Sequence, residues 1–230
     1  MAQHQPTKPG FVRVKTTLTK EPYPPLEDRP VLRTERLILK PYYEGAAKDL
    51  FPMRLQPEVM MWTSQGVPDN NLEETKQWVS QRLPPHHQKD YSFVISLIST
   101  DEVIGTGGTY RRACELGWPE IGYAFRKEAW GKGFATEFLR AFLQVWWKLP
   151  RIESWVEVDQ VTLTSEELAS NADMLVQERC GAVTIRDNLG SKRVLEKTGF
   201  KNVIEWKSKT KEWILCGWVL AEELQVLPNE

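Results

Sequence analysis

Cysteine and histidine are scarce in this chain, and those present have neither disulfide nor metal-binding spacing. Cys114, Cys180 and Cys216 are odd in number, far apart and free of any CxxC pair. That argues against a disulfide framework or zinc site and for buried reduced thiols. The histidines are His4, in a polar stretch, and the neighbours His86 and His87 after Pro84-Pro85; they form no recognisable ligand set, so no metal is expected. Also lacking is an apolar run of the ~20 residues needed to span a membrane. Met1 to Gly10 is too polar for a secretory leader, so the chain reads as cytoplasmic and without a membrane partner. Nor is there an excess of charge, since 30 Lys plus Arg oppose 31 Asp plus Glu. No global field draws the molecule to nucleic acid, and any electrostatic recognition must be local.

What is there suits one globular domain: 230 residues, 41% hydrophobic and 27% charged, enough for a full core without a second unit. Residues 1–30 carry Pro6, Pro9, Pro22, Pro24, Pro25 and Pro30 among charges and read as an extended arm with no core of its own. The domain is expected over 31–230. Leu32 to Leu39 reads as a strand of mixed exposure, Glu44 to Leu55 as a helix, and Leu72 to Leu83 as a second helix capped by Asn71. Tyr91 to Ile98 and Val103 to Tyr110 read as a hairpin, followed by a strand through Ile121, Tyr123 and Phe125. Phe134, Phe138, Ala141, Phe142 and Val145 recur at helical spacing, which predicts an amphipathic helix over about 132–147. Ile152 to Val158 reads as a strand, residues 159–187 as an insertion, Ser191 to Lys197 as a short helix, and 200–206 with 213–219 as a closing hairpin. The fold class is mixed α/β.

The most informative segment runs from Glu120-Ile121-Gly122-Tyr123-Ala124-Phe125 through Arg126-Lys127-Glu128-Ala129 to Trp130-Gly131-Lys132-Gly133-Phe134-Ala135-Thr136-Glu137. It passes from strand through loop into helix. Gly131 and Gly133 let backbone approach a ligand closely, and unpaired N–H groups at the helix start suit a pyrophosphate. A G-x-G also occurs in ordinary turns. The nucleotide-triphosphatase loop and the dinucleotide fingerprint both fail for want of their further glycines.

These residues resemble the GNAT superfamily of N-acetyltransferases, especially the branch of ribosomal-protein N-terminal acetyltransferases. The pattern of that branch is an E-x-G-Y strand followed by W-G-x-G-Y/F-A-T-E. The resemblance continues at Asn188-Leu189-Gly190-Ser191-Lys192-Arg193-Val194-Leu195-Glu196-Lys197-Thr198-Gly199-Phe200, similar to the family's N-x-x-S-x-x-V-L-E-K-x-G-F. It covers roughly residues 31–219. It departs at Glu128, where the superfamily often has Gln or Arg, and in the segment before Asn188. Glu128 beside a phosphate would repel it, so it is expected to turn outward.

The resemblance implies a central, mostly antiparallel sheet flanked by helices, with two splayed central strands. It places the pantetheine arm of acetyl-CoA between the strand of Ala124 and Phe125 and that of Trp155 to Val158. The cofactor contacts are then expected from Ala124, Phe125, Trp130, Gly131, Lys132, Gly133, Phe134, Ala135, Thr136, Asn188 and Ser191. Acyl transfer to an amine needs a deprotonated amine, stabilisation of developing oxyanion charge and protonation of the departing thiolate. Direct attack meets those needs without a covalent enzyme intermediate. Ser191, near a helix start, is the candidate proton donor to sulfur, and Asn188 is a helix cap or pantetheine contact. Glu120 is the candidate base, directly or through water, the alternative being a solvated strand-end carboxylate.

Trp118, Trp130, Trp146, Trp147 and Trp155 read as core or loop anchors, and Glu137 as a partner of the helix dipole. The acidic stretch from Glu157 to Glu178, devoid of Lys and Arg, either draws cationic acceptors or merely solubilises. The acceptor expected is a primary amine on a small molecule. A protein N-terminus is the alternative, and a non-catalytic acyl-CoA-binding protein a further one. Oligomeric state is not legible.

Overall fold

Alternating apolar residues from Leu32 onward become a continuous sheet, and its strands carry the site. The computed structural model describes residues 10–170 and 174–221. Met1–Pro9 of the expected arm, Asp173 of the acidic stretch and residues 222–230 lie outside them. In chain order the elements are β1 (Phe11–Thr19), β2 (Leu32–Arg33), β3 (Leu37–Pro41), α1 (Ala46–Arg54), α2 (Pro57–Met60), α3 (Leu72–Ser80), β4 (Tyr91–Leu97), β5 (Val103–Arg111) and β6 (Glu120–Phe125). There follow α4 (Phe134–Trp146), β7 (Arg151–Asp159), α5 (Ser165–Ala169), β8 (Leu175–Val176), β9 (Arg179–Ile185), α6 (Leu189–Lys197), β10 (Lys201–Lys207) and β11 (Ile214–Ala221).

The main sheet has the order β10-β11-β9-β6-β5-β4-β3-β2. All its pairings are antiparallel except β6 with β9, so the mostly antiparallel mixed α/β architecture is as expected. Helices cover both faces of the inner strands. Leu37, Ile38 and Leu39 are therefore all buried, as are the first six residues of β4, where period-2 exposure was expected for β3. On one face, α4 sets Phe138, Leu139, Phe142 and Trp146 into the core; each such side chain contributes about 1.5–3 kcal/mol by burial. The close approach of α4 depends on Gly107 of β5, where a Cβ would stand 2.4 Å from the Phe138 ring. On the other face, α1 and α3 bring Ala46, Leu50, Met53 and Val79 against Val94 and Ala124.

Two expectations are corrected. Residues 11–19 are not an arm without a core: β1 runs antiparallel to β7 along nine residue pairs, from Phe11↔Asp159 to Thr19↔Arg151. Its inward residues Val14 and Leu18 are buried. With β8, these strands form a second sheet of order β7-β1-β8, whose Val14, Val158 and Val176 pack with Cys114, Leu116 and Trp118. The second correction concerns the central opening. The strand beside β6 is β9, from within the expected insertion; β7, having paired with β1, is not in that sheet. Within the expected insertion lies the short α5, closed at its start by a Thr164/Glu167 capping box.

Candidate active site

The loop after β6 is built to leave backbone donors open. Gly131 (φ +73°) and Gly133 (φ +83°) both take the left-handed conformation, which a side-chain-bearing residue adopts at a cost. A Cβ at Gly131 would meet nothing within 4 Å, and one at Gly133 only Arg36 Nη2 at 3.4 Å. The glycines therefore serve the backbone path and the open outer surface rather than internal packing. Among the described residues, none of the N–H groups from Gly131 to Thr136 has a protein acceptor; the first hydrogen bond is Glu137 N–H to the Gly133 carbonyl, 3.1 Å. Consecutive free donors at a helix N-terminus form an anion site.

The neighbouring side chains keep that surface clear. Glu128 is exposed and accepts from Gln56 Nε2 at 2.9 and 3.0 Å, outward as expected. Trp130 is 42% exposed, and its indole donates to the Phe125 carbonyl (2.8 Å). Lys132 is exposed, while Phe134, Ala135 and Thr136 are half-buried. Glu137 does more than face the helix dipole: it accepts from Thr34 Oγ1 (2.6 Å), Arg36 N–H (2.8 Å) and Arg36 Nε (2.7 Å). That cross-link to the start of β3 was not legible from spacing, because 101 residues separate the partners.

β6 and β9 touch at one residue pair, Glu120↔Gly181, and no further ladder pair joins them toward Phe125. The splayed opening thus exists, with β9 in place of the strand of Trp155 to Val158. Ala124 and Phe125 sit along its β6 side; Phe125 is buried in the core and Ala124 half-buried. β9 leads into α6, whose cap Asn188 accepts from Ser191 N–H (3.0 Å). Ser191 is half-buried, and its side chain interacts with the Tyr123 hydroxyl. Tyr123 Oη donates to the Ser191 carbonyl at 3.3 Å. Burial raises the Tyr123 phenol well above its ordinary pKa, so it stays a donor at neutral pH. Tyr123 is a further functional candidate, and the Tyr of E-x-G-Y was its sequence signal.

Along β6, period-2 alternation divides the residues between two faces. Ile121, Tyr123 and Phe125 pack toward Phe138 of α4. Ala124, and with it Gly122 and Glu120, face the α1 side. Among the described residues, Glu120 Oε2 is buried without a hydrogen-bond partner, with Arg111 Nη1 3.5 Å away. Burial pushes its carboxyl up to about 6, Arg111 opposing the shift and Glu115 adding to it. A bulge at Tyr110 brings Arg111 opposite Glu120 and lays the Tyr110 ring against Gly122, where a Cβ would be 3.3 Å from it. Bulges re-aim side chains in this way.

Two loops meet over the far end. Lys211 Nζ, between β10 and β11, donates to the Ser64 carbonyl (3.2 Å) in the connection from α2 to α3. That connection is held by Arg54, whose guanidinium grips the buried Asp69 through Nε (2.6 Å) and Nη2 (2.9 Å). A cavity of about 400 Å³ lies elsewhere, beside the β4–β5 turn, lined by Lys40, Tyr43, Lys48, Asp49, Ser96, Asp101 and Arg126 among others. Within it Lys40 pairs with Asp101 and Arg126 with Glu102.

Within the acidic stretch, Glu167 pairs with Arg179 (2.6 Å) and Glu178 with Arg151 (3.0 Å). Trp118 and Trp146 are fully buried anchors, but Trp155 is 43% exposed under Arg13. All three cysteines are buried and free. Among the described residues no group of three His, Cys, Asp or Glu could hold a metal ion, and no helix is long and apolar enough to cross a membrane.

Comparison with known proteins agrees with this fold. The profile of the "Acetyltransferase (GNAT) domain" family matches residues 36–201. Uncharacterized N-acetyltransferase YoaA of Bacillus subtilis is 28% identical over 176 residues, covering 75% of this chain and 83% of that protein. A GNAT-family acetyltransferase structure from Bacillus anthracis superposes with a TM-score of 0.61 at 20% identity, over 84% of this chain and 99% of the other. The ribosomal L7/L12 alpha-N-protein acetyltransferase RimL, in complex with coenzyme A, superposes with a TM-score of 0.60 at 15% identity, over 83% and 97%. With the family profile spanning most of the chain, its glycine loop and its Asn188–Phe200 segment alike, the protein belongs to the GNAT family of N-acetyltransferases.

Proposed function

We propose that this N-acetyltransferase uses acetyl-CoA and transfers the acetyl group by direct attack of a primary amine, with a small molecule as acceptor. The reading rests on the run of free N–H groups from Gly131 to Thr136 beside an opening where β6 and β9 share one pair. The thioester supplies the activated acyl group. Backbone from Gly131 to Thr136, with Lys132 adding charge, holds the pyrophosphate. The edges of Ala124, Phe125 and Asn188 line the arm; antiparallel alternation turns the Ala124 backbone toward Thr106 of β5 and that of Phe125 toward the opening, where its carbonyl already serves Trp130. RimL's complex with coenzyme A supports the choice of donor.

Glu120 and Ser191 take opposite sides of the opening. Glu120 lies on the α1 face and, with its proton affinity raised toward neutrality, accepts a proton from the amine directly or through water. Ser191 lies by Tyr123 on the α4 side, and its hydroxyl donates to the departing sulfur. The Asn188 cap and the Tyr123 bond hold the Ser191 backbone from both sides. A cytoplasmic location goes with three buried reduced thiols. A protein N-terminus is the second reading, favoured by the likeness to RimL. Release of free CoA upon addition of an amine, with mass analysis of the product, decides both catalysis and acceptor. Release with peptides but with no small amine would overturn the small-molecule preference.

A further inference from the structure

Arg36 is the most heavily engaged side chain near the glycine loop, and nothing in the chemistry above uses it. Its Nε donates to Glu137 Oε2 (2.7 Å), Nη2 lies 2.6 Å from the same carboxylate, and Nη1 donates to the Lys132 carbonyl (2.9 Å). The guanidinium also stacks on Phe134, 4.6 Å from the ring centroid. Thr34 Oγ1 and the Arg36 N–H complete the shell of Glu137. An exposed ion pair alone contributes little. This one is a planar fork joining the loop at Lys132 to the first turn of α4, a geometry arginine forms and lysine cannot.

The contact to Lys132 has a directional consequence. In a trans peptide the carbonyl and the following N–H point to opposite sides. Holding the Lys132 carbonyl toward Arg36 therefore turns the Gly133 N–H away from Arg36, toward the open side of the loop. Gly133 has no Cβ to obstruct this, and a Cβ there would come to 3.4 Å from Arg36 Nη2. Glu137, gripped by the same guanidinium, fixes the first turn of α4, which carries the donors of Phe134, Ala135 and Thr136.

We propose that Arg36 is a positioning residue for the pyrophosphate: bridging Glu137 and the Lys132 carbonyl, it presets the loop donors before the donor substrate binds. The proposal rests on the assignment of that loop to acetyl-CoA. It predicts that loss of Arg36 is felt only by ligands that carry a pyrophosphate.

The test compares wild type, Arg36→Ala and Arg36→Lys in two assays, with folding checked by thermal melting. Calorimetry with CoA should show at least a tenfold weaker Kd for Arg36→Ala, and a loss in the same direction for Arg36→Lys, which keeps the charge but not the fork. The ratio of kcat/KM for acetyl-CoA to that for acetyl-pantetheine, which lacks the pyrophosphate, should fall at least tenfold. A folded variant with unchanged CoA affinity, or with equal losses for both donors, would overturn the role. Should Arg36→Ala not fold, Arg36→Lys and Thr34→Val carry the same comparison. Equal kcat/KM for the two donors in the wild type is a separate result: it would remove the loop's assignment to pyrophosphate and the role of Arg36 with it.

Discussion

Tyr123 reaches from the middle of β6 to the first turn of α6, where its hydroxyl donates to the Ser191 carbonyl at 3.3 Å. Because β6 and β9 pair only at Glu120↔Gly181, this bond is a polar tie across the part of the opening where the strands have separated. It fixes the Ser191 backbone beside the opening.

Ser191→Ala should therefore lower kcat well beyond any weakening of CoA binding if the hydroxyl serves the leaving sulfur. Tyr123→Phe removes one hydrogen bond, about 1 kcal/mol, and should produce a smaller kcat loss by letting α6 drift. Steady-state kinetics alongside CoA calorimetry separates the two. Equal turnover of Ser191→Ala and wild type would reject proton donation.

At Gly131 the outcome should be loss of ligand with retention of fold. A side chain there meets no protein atom within 4 Å, yet φ +73° is costly for a β-branched residue and the outward face is the one proposed for the ligand. Gly131→Val should weaken CoA binding at least tenfold by calorimetry. Gly107→Ala is the contrasting case: its Cβ would come to 2.4 Å from Phe138, so its melting temperature should drop. Unchanged CoA affinity in folded Gly131→Val would contradict the placement.

Glu120 should make activity and stability pull apart. As a base it must be ionised, so with a carboxyl raised to about 6 kcat/KM should fall as pH drops through that value. For stability the sign is opposite. The folded state holds this proton more tightly than the unfolded chain, whose value is near 4.5, so stability is lost as pH rises from 4.5 through 6. Glu120→Gln should be nearly inactive yet more stable at pH 7.5, by on the order of 2 kcal/mol, with little gain at pH 4.5. Chemical denaturation at the two pH values reads this; a variant that is both active and no more stable would sink the assignment.

The Arg54–Asp69 pair should govern the connection from α2 to α3. Burial works against the Asp69 carboxylate, but Arg54, Thr75 and Gln65 outweigh it and hold the carboxyl below its usual range. Its contribution is thus present above about pH 4 and lost as pH falls through the depressed value. Arg54→Ala strands a buried carboxylate and should cost about 3–5 kcal/mol at neutral pH, the deficit shrinking in acid. Denaturant melts at pH 7 and pH 3 measure both; a deficit independent of pH would mean that packing of Arg54 on Trp78, rather than the pair, is what matters.

What the sequence determined by itself was set by local backbone chemistry. Gly131 and Gly133 before a helix, Asn188 three residues ahead of Ser191, Asn71 at the start of α3 and the apolar spacing of α4 all act within a few residues, so they are legible in one dimension. The tertiary structure decided what depends on partners far along the chain. β1 carries a period-2 pattern at Val14, Thr16 and Leu18, but flanking prolines hid it, and its pairing with β7 spans more than 130 residues. That ladder takes β7 out of the central sheet and leaves the place beside β6 to β9. Spacing likewise could not join Arg36 to Glu137 or Tyr123 to Ser191. Side chains at those positions meet only after sheet register and helix packing have placed them, and register is set by which strands bury their apolar faces together.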